Sequence, residues 1–161
     1  MAAFDFPPVY PDCINEFYST EVAGEAWALG LLKVAKNDID RYHFGTFLQL
    51  ETENKAHLGL LLYKYNLYAS LSEDENLNEE VDKSVDQYQD SDSLREFASS
   101  QEEFIEKYLD RFQEIQKITP EEDLEIVDRM VKHEEAILYW VETLSLEKII
   151  DLLANPLPEQ P

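Results

Sequence analysis

The sequence predicts an all-α domain of four long antiparallel helices, and three features carry that prediction. Glycine occurs only four times. The seven prolines gather at the two ends (Pro7, Pro8, Pro11, Pro156, Pro158, Pro161), with Pro120 alone between them. The long stretches left free of proline repeat apolar residues every three or four positions, the spacing of an amphipathic helix. A chain of 161 residues is long enough for one domain with a real core and too short for two comfortable ones.

An irregular lead, residues 1–11, precedes a first helix with Asp12 as its expected N-cap, running to about Lys36. Asn37 and Asp38 make a polar break, and a second helix runs from about Ile39 to Tyr68. Residues 69–92 read as a long crossover. Positions 71–92 hold nine acids against one base, Lys83, a composition too polar and self-repelling for a core element beyond a helical turn. Ser93-Leu94-Arg95-Glu96 fits a capping box opening a third helix to about Lys117. Thr119-Pro120-Glu121-Glu122 places Thr at an N-cap and Pro at the first position of a fourth helix, which runs to about Thr143. Ser145 caps a short terminal helix, 146–154, stopped by Asn155-Pro156. The bundle thus spans 12–155, and residues 156–161 form a tail.

Net charge is −22, from 35 acidic and 13 basic residues. Such a surface repels phosphate backbones and anionic lipid, which argues against nucleic acid and membrane surfaces as partners. Cys13 is the only cysteine, so the chain forms no internal disulfide and no Cys-based metal site. Its start lacks the basic and apolar regions of a secretory signal, and no apolar run is long enough for a bilayer. A cytoplasmic location is the expectation.

At about 100° per residue each helix gains an apolar stripe, and acids fall within every stripe. The first helix sets Glu21 and Glu25 among Tyr18, Val22, Leu29 and Leu32. The second sets Glu51, Asn54 and His57 among Phe47, Leu50, Leu58, Leu61 and Tyr65. The third brings Glu102 to the flank of its stripe, and in the fourth Glu134 and Glu135 straddle the midline. Heights agree: with the first turn near Asp38, Glu25 is level with Glu51 and Glu21 with Asn54, while Glu102 is level with Glu135. Buried unpaired carboxylates are costly, so such a cluster must be protonated, hydrogen-bonded, solvated or bound to cations. His43 and His133 are expected at the surface. Trp27, Leu31 and Val34, Leu60, Tyr63 and Leu67, and Trp140 fall on outer faces, to be covered by the lead, crossover and terminal helix or by a homodimer partner.

Gly24-Glu25-Ala26-Trp27-Ala28, Leu50-Glu51-Thr52-Glu53-Asn54-Lys55-Ala56-His57 and His133-Glu134-Glu135-Ala136-Ile137 resemble the ligand-bearing helices of the ferritin-like superfamily, above all its rubrerythrin-like members. The long crossover is similar to the one that fold uses between its hairpins. The resemblance implies a dinuclear Fe or Mn site, with Glu25, Asn54, His57, Glu102 and Glu134 at the ligand positions. The pattern departs from the family twice: Asn54 stands where a bridging Glu belongs, although Glu51 is one turn earlier, and Ile137 stands where the second His belongs. A carboxylate-rich site of this kind suits a hard cation such as Mn, Mg or Ca.

Three functions follow as expectations. The first is a ferritin-like protein holding one or two metal ions, and, if an enzyme, a metal-dependent oxidoreductase. The second is a metal-free scaffold acting through partners or oligomerisation. The third is an acidic protein that sequesters a basic partner.

Overall fold

The computed structural model describes residues 7–68 and 76–158, and among these every regular element is helical. They are α1 (Cys13–Lys33), α2 (Asp38–Lys64), α3 (Leu77–Asp90), α4 (Leu94–Ser100), α5 (Glu102–Ile118), α6 (Leu124–Thr143) and α7 (Glu147–Ile150), with a 3₁₀ turn at Glu121–Asp123 before α6. Residues 1–6 of the expected lead, 69–75 of the crossover and 159–161 of the tail lie outside the described residues.

Side-chain pairs fix how the helices run. α1 and α2 form an antiparallel hairpin, in which Trp27 packs edge-on against Phe47 and Glu25 meets Thr52 and Lys55 at 2.7 and 2.9 Å. α2 and α6 are also antiparallel: Trp140 donates to His43 at 2.8 Å, Arg129 to Asn54 at 2.7 Å, and Lys64 to Asp123 at 2.6 Å. α5 descends against α1, with Arg111 gripping Glu16 through two bonds of 2.7 and 2.8 Å and Phe112 packed on Phe17. At the far end Phe97 of α4 stacks on Trp27. α3 runs beside α1 in the same direction, from Val81 and Val85 near Gly30 to Tyr88 at Lys36.

The α3 helix corrects the reading of that stretch as a polar connection. Val81, Val85 and Tyr88 recur at i, i+4 and i+7 and form one apolar face, while Glu79, Glu80, Asp82, Asp86 and Asp90 stay exposed. Gly30 lets this face come close, since a Cβ there would sit 2.8 Å from a Val81 methyl. Tyr88 is buried, donates to Asp40 and accepts from the Lys36 amide, so α3 is pinned where α1 turns into α2.

Other boundaries moved for local reasons. Asn37 caps α2 by accepting from the Asp40 amide, and Ser93 caps α4 by accepting from Glu96. The Glu96 carboxylate returns a bond to the Asp92 amide, completing the capping arrangement one residue early. The expected third helix breaks at Gln101 into α4 and α5, after the poor helix formers Ser99 and Ser100. Thr119 does not cap the next helix; its hydroxyl turns back to the Ile115 carbonyl. Asp12 makes no side-chain cap bond, and the terminal helix is shorter than the expected 146–154: it follows Leu146 and ends at Ile150, with Ser145 accepting from the Glu147 amide just ahead of it.

The first helix is rotated relative to its predicted stripe. Phe17, Glu21, Ala28 and Leu31 are buried, and Leu29 is exposed. This helix is apolar on most sides, so periodicity discriminates poorly, and α3 covers a second face. Trp140 is also fully buried, because α6 packs against α2, α4, α5 and α7 together. Leu60 and Tyr63 are exposed as expected.

Candidate metal centre

The core of the described residues forms three apolar clusters, of which the two larger frame a polar layer. One holds Ala28, Leu31, Phe47, Leu50, Ile137 and Trp140; the other holds Phe17, Leu58, Phe112, Val127 and Met130. In α1, α2 and α6 the residues between these clusters are polar: Glu21, Glu51 with Asn54, and His133 with Glu134, all buried. Each lies in a stripe continued by apolar side chains above and below, so folding the stripes drags the polar atoms inside.

His133 is the centre of this layer. Its Nδ1 lies 3.0 Å from Glu21 Oε1 and its Nε2 3.1 Å from Glu51 Oε1, with all three side chains at most 5% exposed. Glu21 Oε2 and Glu51 Oε2 are buried and have no hydrogen-bond donor. One donor atom from each of the three residues falls within 4.8 Å of the others. Four-coordinate ions with bonds of about 2.1 Å separate their donors by about 3.4 Å, so only a small closing movement is needed to surround one. Because an ion takes one ring nitrogen, the other stays with a carboxylate, an arrangement that orients metal-bound imidazoles generally.

Electrostatics follow from burial and mutual proximity. Burial drives the Glu21 carboxyl well above its ordinary value, the Glu51 charge adds to this, and His133 opposes it. Burial alone would strip the proton from His133, but Glu21 and Glu51 on either side outweigh it and hold the imidazole well above its usual range. Both shifts run towards protonation, of the His133 ring and of the Glu21 carboxyl. Glu134 is pushed up to about 7 by burial, against the pull of His133 and with a further push from Glu51.

Of the residues singled out from sequence, the fold brings Glu21 and Glu51 together and sets Glu134 beside them. Asn54 is buried but binds Arg129 through its Oδ1, leaving its Nδ2 without an acceptor. His57 is exposed, which corrects its inward placement: that side of α2 is buried at Thr46 and Leu50, where the terminal segment bonds Gln49 and Glu53, and His57 lies one turn beyond this cover. Glu25 is partly exposed and paired with Lys55 and Thr52, which outweigh its burial and lower its pKa. Glu102 opens α5 rather than sitting mid-helix, and Glu135 is exposed. Buried carboxylates therefore meet from α1, α2 and α6, and the third segment adds none, because Glu102 is only half-buried at the α4–α5 break.

His133 was expected at the surface and is instead fully buried. Its signal was present: Met130, His133, Ile137 and Trp140 form a helical line, hidden because α6 carries a second apolar line through Val127, Val131 and Leu138. His43 is half-buried, with Nδ1 accepting from Trp140.

Comparison with known protein families, curated proteins and solved structures finds no match to this chain. Among the described residues no helix is long and apolar enough to cross a membrane.

Proposed function

We propose that this chain is a ferritin-like four-helix bundle protein whose interior binds one divalent cation through Glu21, Glu51 and His133. The observation that carries this reading is three ligating side chains, from three helices, buried within 4.8 Å of one another with two carboxylate oxygens lacking donors. An orphaned buried carboxylate oxygen is expensive, and a cation satisfies both at once. Two carboxylates and a neutral imidazole also balance a dication in charge. Support for the bundle comes from the up–down course of α1 and α2, the return along α1 through α3, and the descent and rise of α5 and α6.

One imidazole with two carboxylates suits first-row dications such as Mn, Fe or Zn better than Ca or Mg, which favour all-oxygen shells. A dinuclear site of the kind the family resemblance implies has less support, since Glu25, Glu102 and His57 lie away from the group. No substrate or redox reaction is assigned.

A second reading has its own observation. Both ring nitrogens of His133 are already within hydrogen-bond distance of a carboxylate, so a protonated His133 closes the layer without metal. Titration calorimetry on chelator-stripped protein separates the two. The metal reading expects about one Zn²⁺ or Mn²⁺ per chain and a higher melting temperature with the ion present, since a ligand of the native state stabilises it by mass action. No uptake, and melts indifferent to chelator, would leave the imidazolium bridge as the whole story.

A further inference from the structure

We infer that Gly24 is the positioning residue of the Glu21–Glu51–His133 group: its bare backbone is the seat of the Glu51 carboxylate and sets where that carboxylate meets His133. The inference rests on the metal reading for its ligand and on geometry for its cause. A Cβ built at Gly24 would lie 2.5 Å from Glu51 Cδ, 2.5 Å from Oε2 and 2.7 Å from Oε1. Real Cβ atoms do not come so near. The whole carboxylate of Glu51 therefore occupies space that any other residue at position 24 would fill.

Three further features give this contact a direction. Gly24 lies on α1 one turn beyond Glu21, so the helix that supplies one carboxylate also shapes the place of the other. Glu51 Oε2, one of the atoms pressed on Gly24, is an oxygen without a donor, while Oε1 reaches His133 Nε2 at 3.1 Å. Glu51 is only 4% exposed, so the carboxylate cannot swing out to solvent without leaving the layer. The conflict is confined to the end of one long side chain, which can give way. Alanine is the better helix former, so Gly24→Ala should leave the fold intact and move the carboxylate alone.

Shortening Glu51 by one methylene draws its carboxylate back by about one C–C bond, roughly 1.5 Å, close to what an added Cβ requires. A pair of variants therefore tests fit rather than mere presence. Zn²⁺ is titrated calorimetrically into chelator-stripped full-length protein carrying Gly24→Ala, Glu51→Asp, or both, beside the unaltered chain. Imidazole ¹⁵N shifts of His133 are recorded for each metal-free protein, with helicity and melting temperature as the check on folding.

Gly24→Ala is expected to weaken Zn²⁺ binding at least tenfold and to shift the His133 resonances at unchanged helicity. The double variant is expected to bind more tightly than the product of the two single losses allows. If Gly24→Ala binds within twofold of the unaltered chain, the inference is overturned while the metal reading stands. If the unaltered chain takes up no Zn²⁺, the metal reading falls, and the His133 shifts decide the rest: displaced by Gly24→Ala they uphold the seat, and unmoved they overturn it.

Discussion

His133 carries the interior's chemistry because it sits between two buried acids, Glu21 and Glu51. Replacing it with Ala leaves Glu21 and Glu51 facing each other with no bridge, and breaking a buried charge network in this way typically costs about 3–5 kcal/mol. We expect His133→Ala to lose about 3 kcal/mol in urea denaturation and all Zn²⁺ uptake, with His133→Gln losing less stability because its amide can still bond a carboxylate. A loss below about 1 kcal/mol would show that the two acids repack without the ring. At this scale the sequence was half legible. Glu21 and Glu51 could be found, because each is an acid inside an otherwise apolar stripe. His133 could not, because α6 is buried on more than one side and two apolar lines compete for the label of core. His57 misled because it shares the side of Thr46 and Leu50 but lies one turn past the terminal segment that covers them.

Among the elements, α3 shows how few residues suffice to convert an acidic segment into a packed one. Val81, Val85 and Tyr88 make its inner face, and Tyr88 is its anchor through Asp40 and Lys36. Burial and the Asp40 carboxylate raise the Tyr88 hydroxyl to about 12. The folded pKa lies above the unfolded one, so the phenol's contribution is complete below pH 10 and is lost as pH rises towards 12. Tyr88→Phe should therefore be about 2 kcal/mol less stable at neutral pH, with the gap closing between pH 10 and 12. Equal pH dependence in both proteins would remove Tyr88 as the anchor. The apolar period of α3 was in the sequence all along, but at one apolar residue per turn it was outweighed by the acids around it. Helix starts were easier to read where a side chain caps them, as at Ser93, and harder where tertiary contacts decide, as in the break at Gln101.

For the whole molecule, the dominant quantity is the net charge of −22. Much of it is spread over exposed acids of α3 and the outer faces of α5 and α6, where positive partners are few. Self-repulsion of this kind weakens as salt shortens the Debye length from about 10 Å at 0.1 M to about 3 Å at 1 M. The melting temperature is expected to rise between 20 and 500 mM NaCl; a fall would mean that surface ion pairs such as Lys64 with Glu122 outweigh the repulsion. The all-helical character was plain from the sparse glycine and proline. The way the helices surround a polar layer was not, since it depends on contacts between residues far apart in the chain.

That separation has a temporal side. Glu21 and His133 are 112 positions apart, and Glu51 and His133 are 82. A ribosome working at about 5–20 residues per second delivers the last member of the group roughly ten seconds after the first. Until then the nascent hairpin of α1 and α2 holds two acids with nothing to neutralise them, in a surface still open to water. Their desolvation is postponed to the moment α6 docks, so the closing step of folding and the creation of the cation's niche are one event.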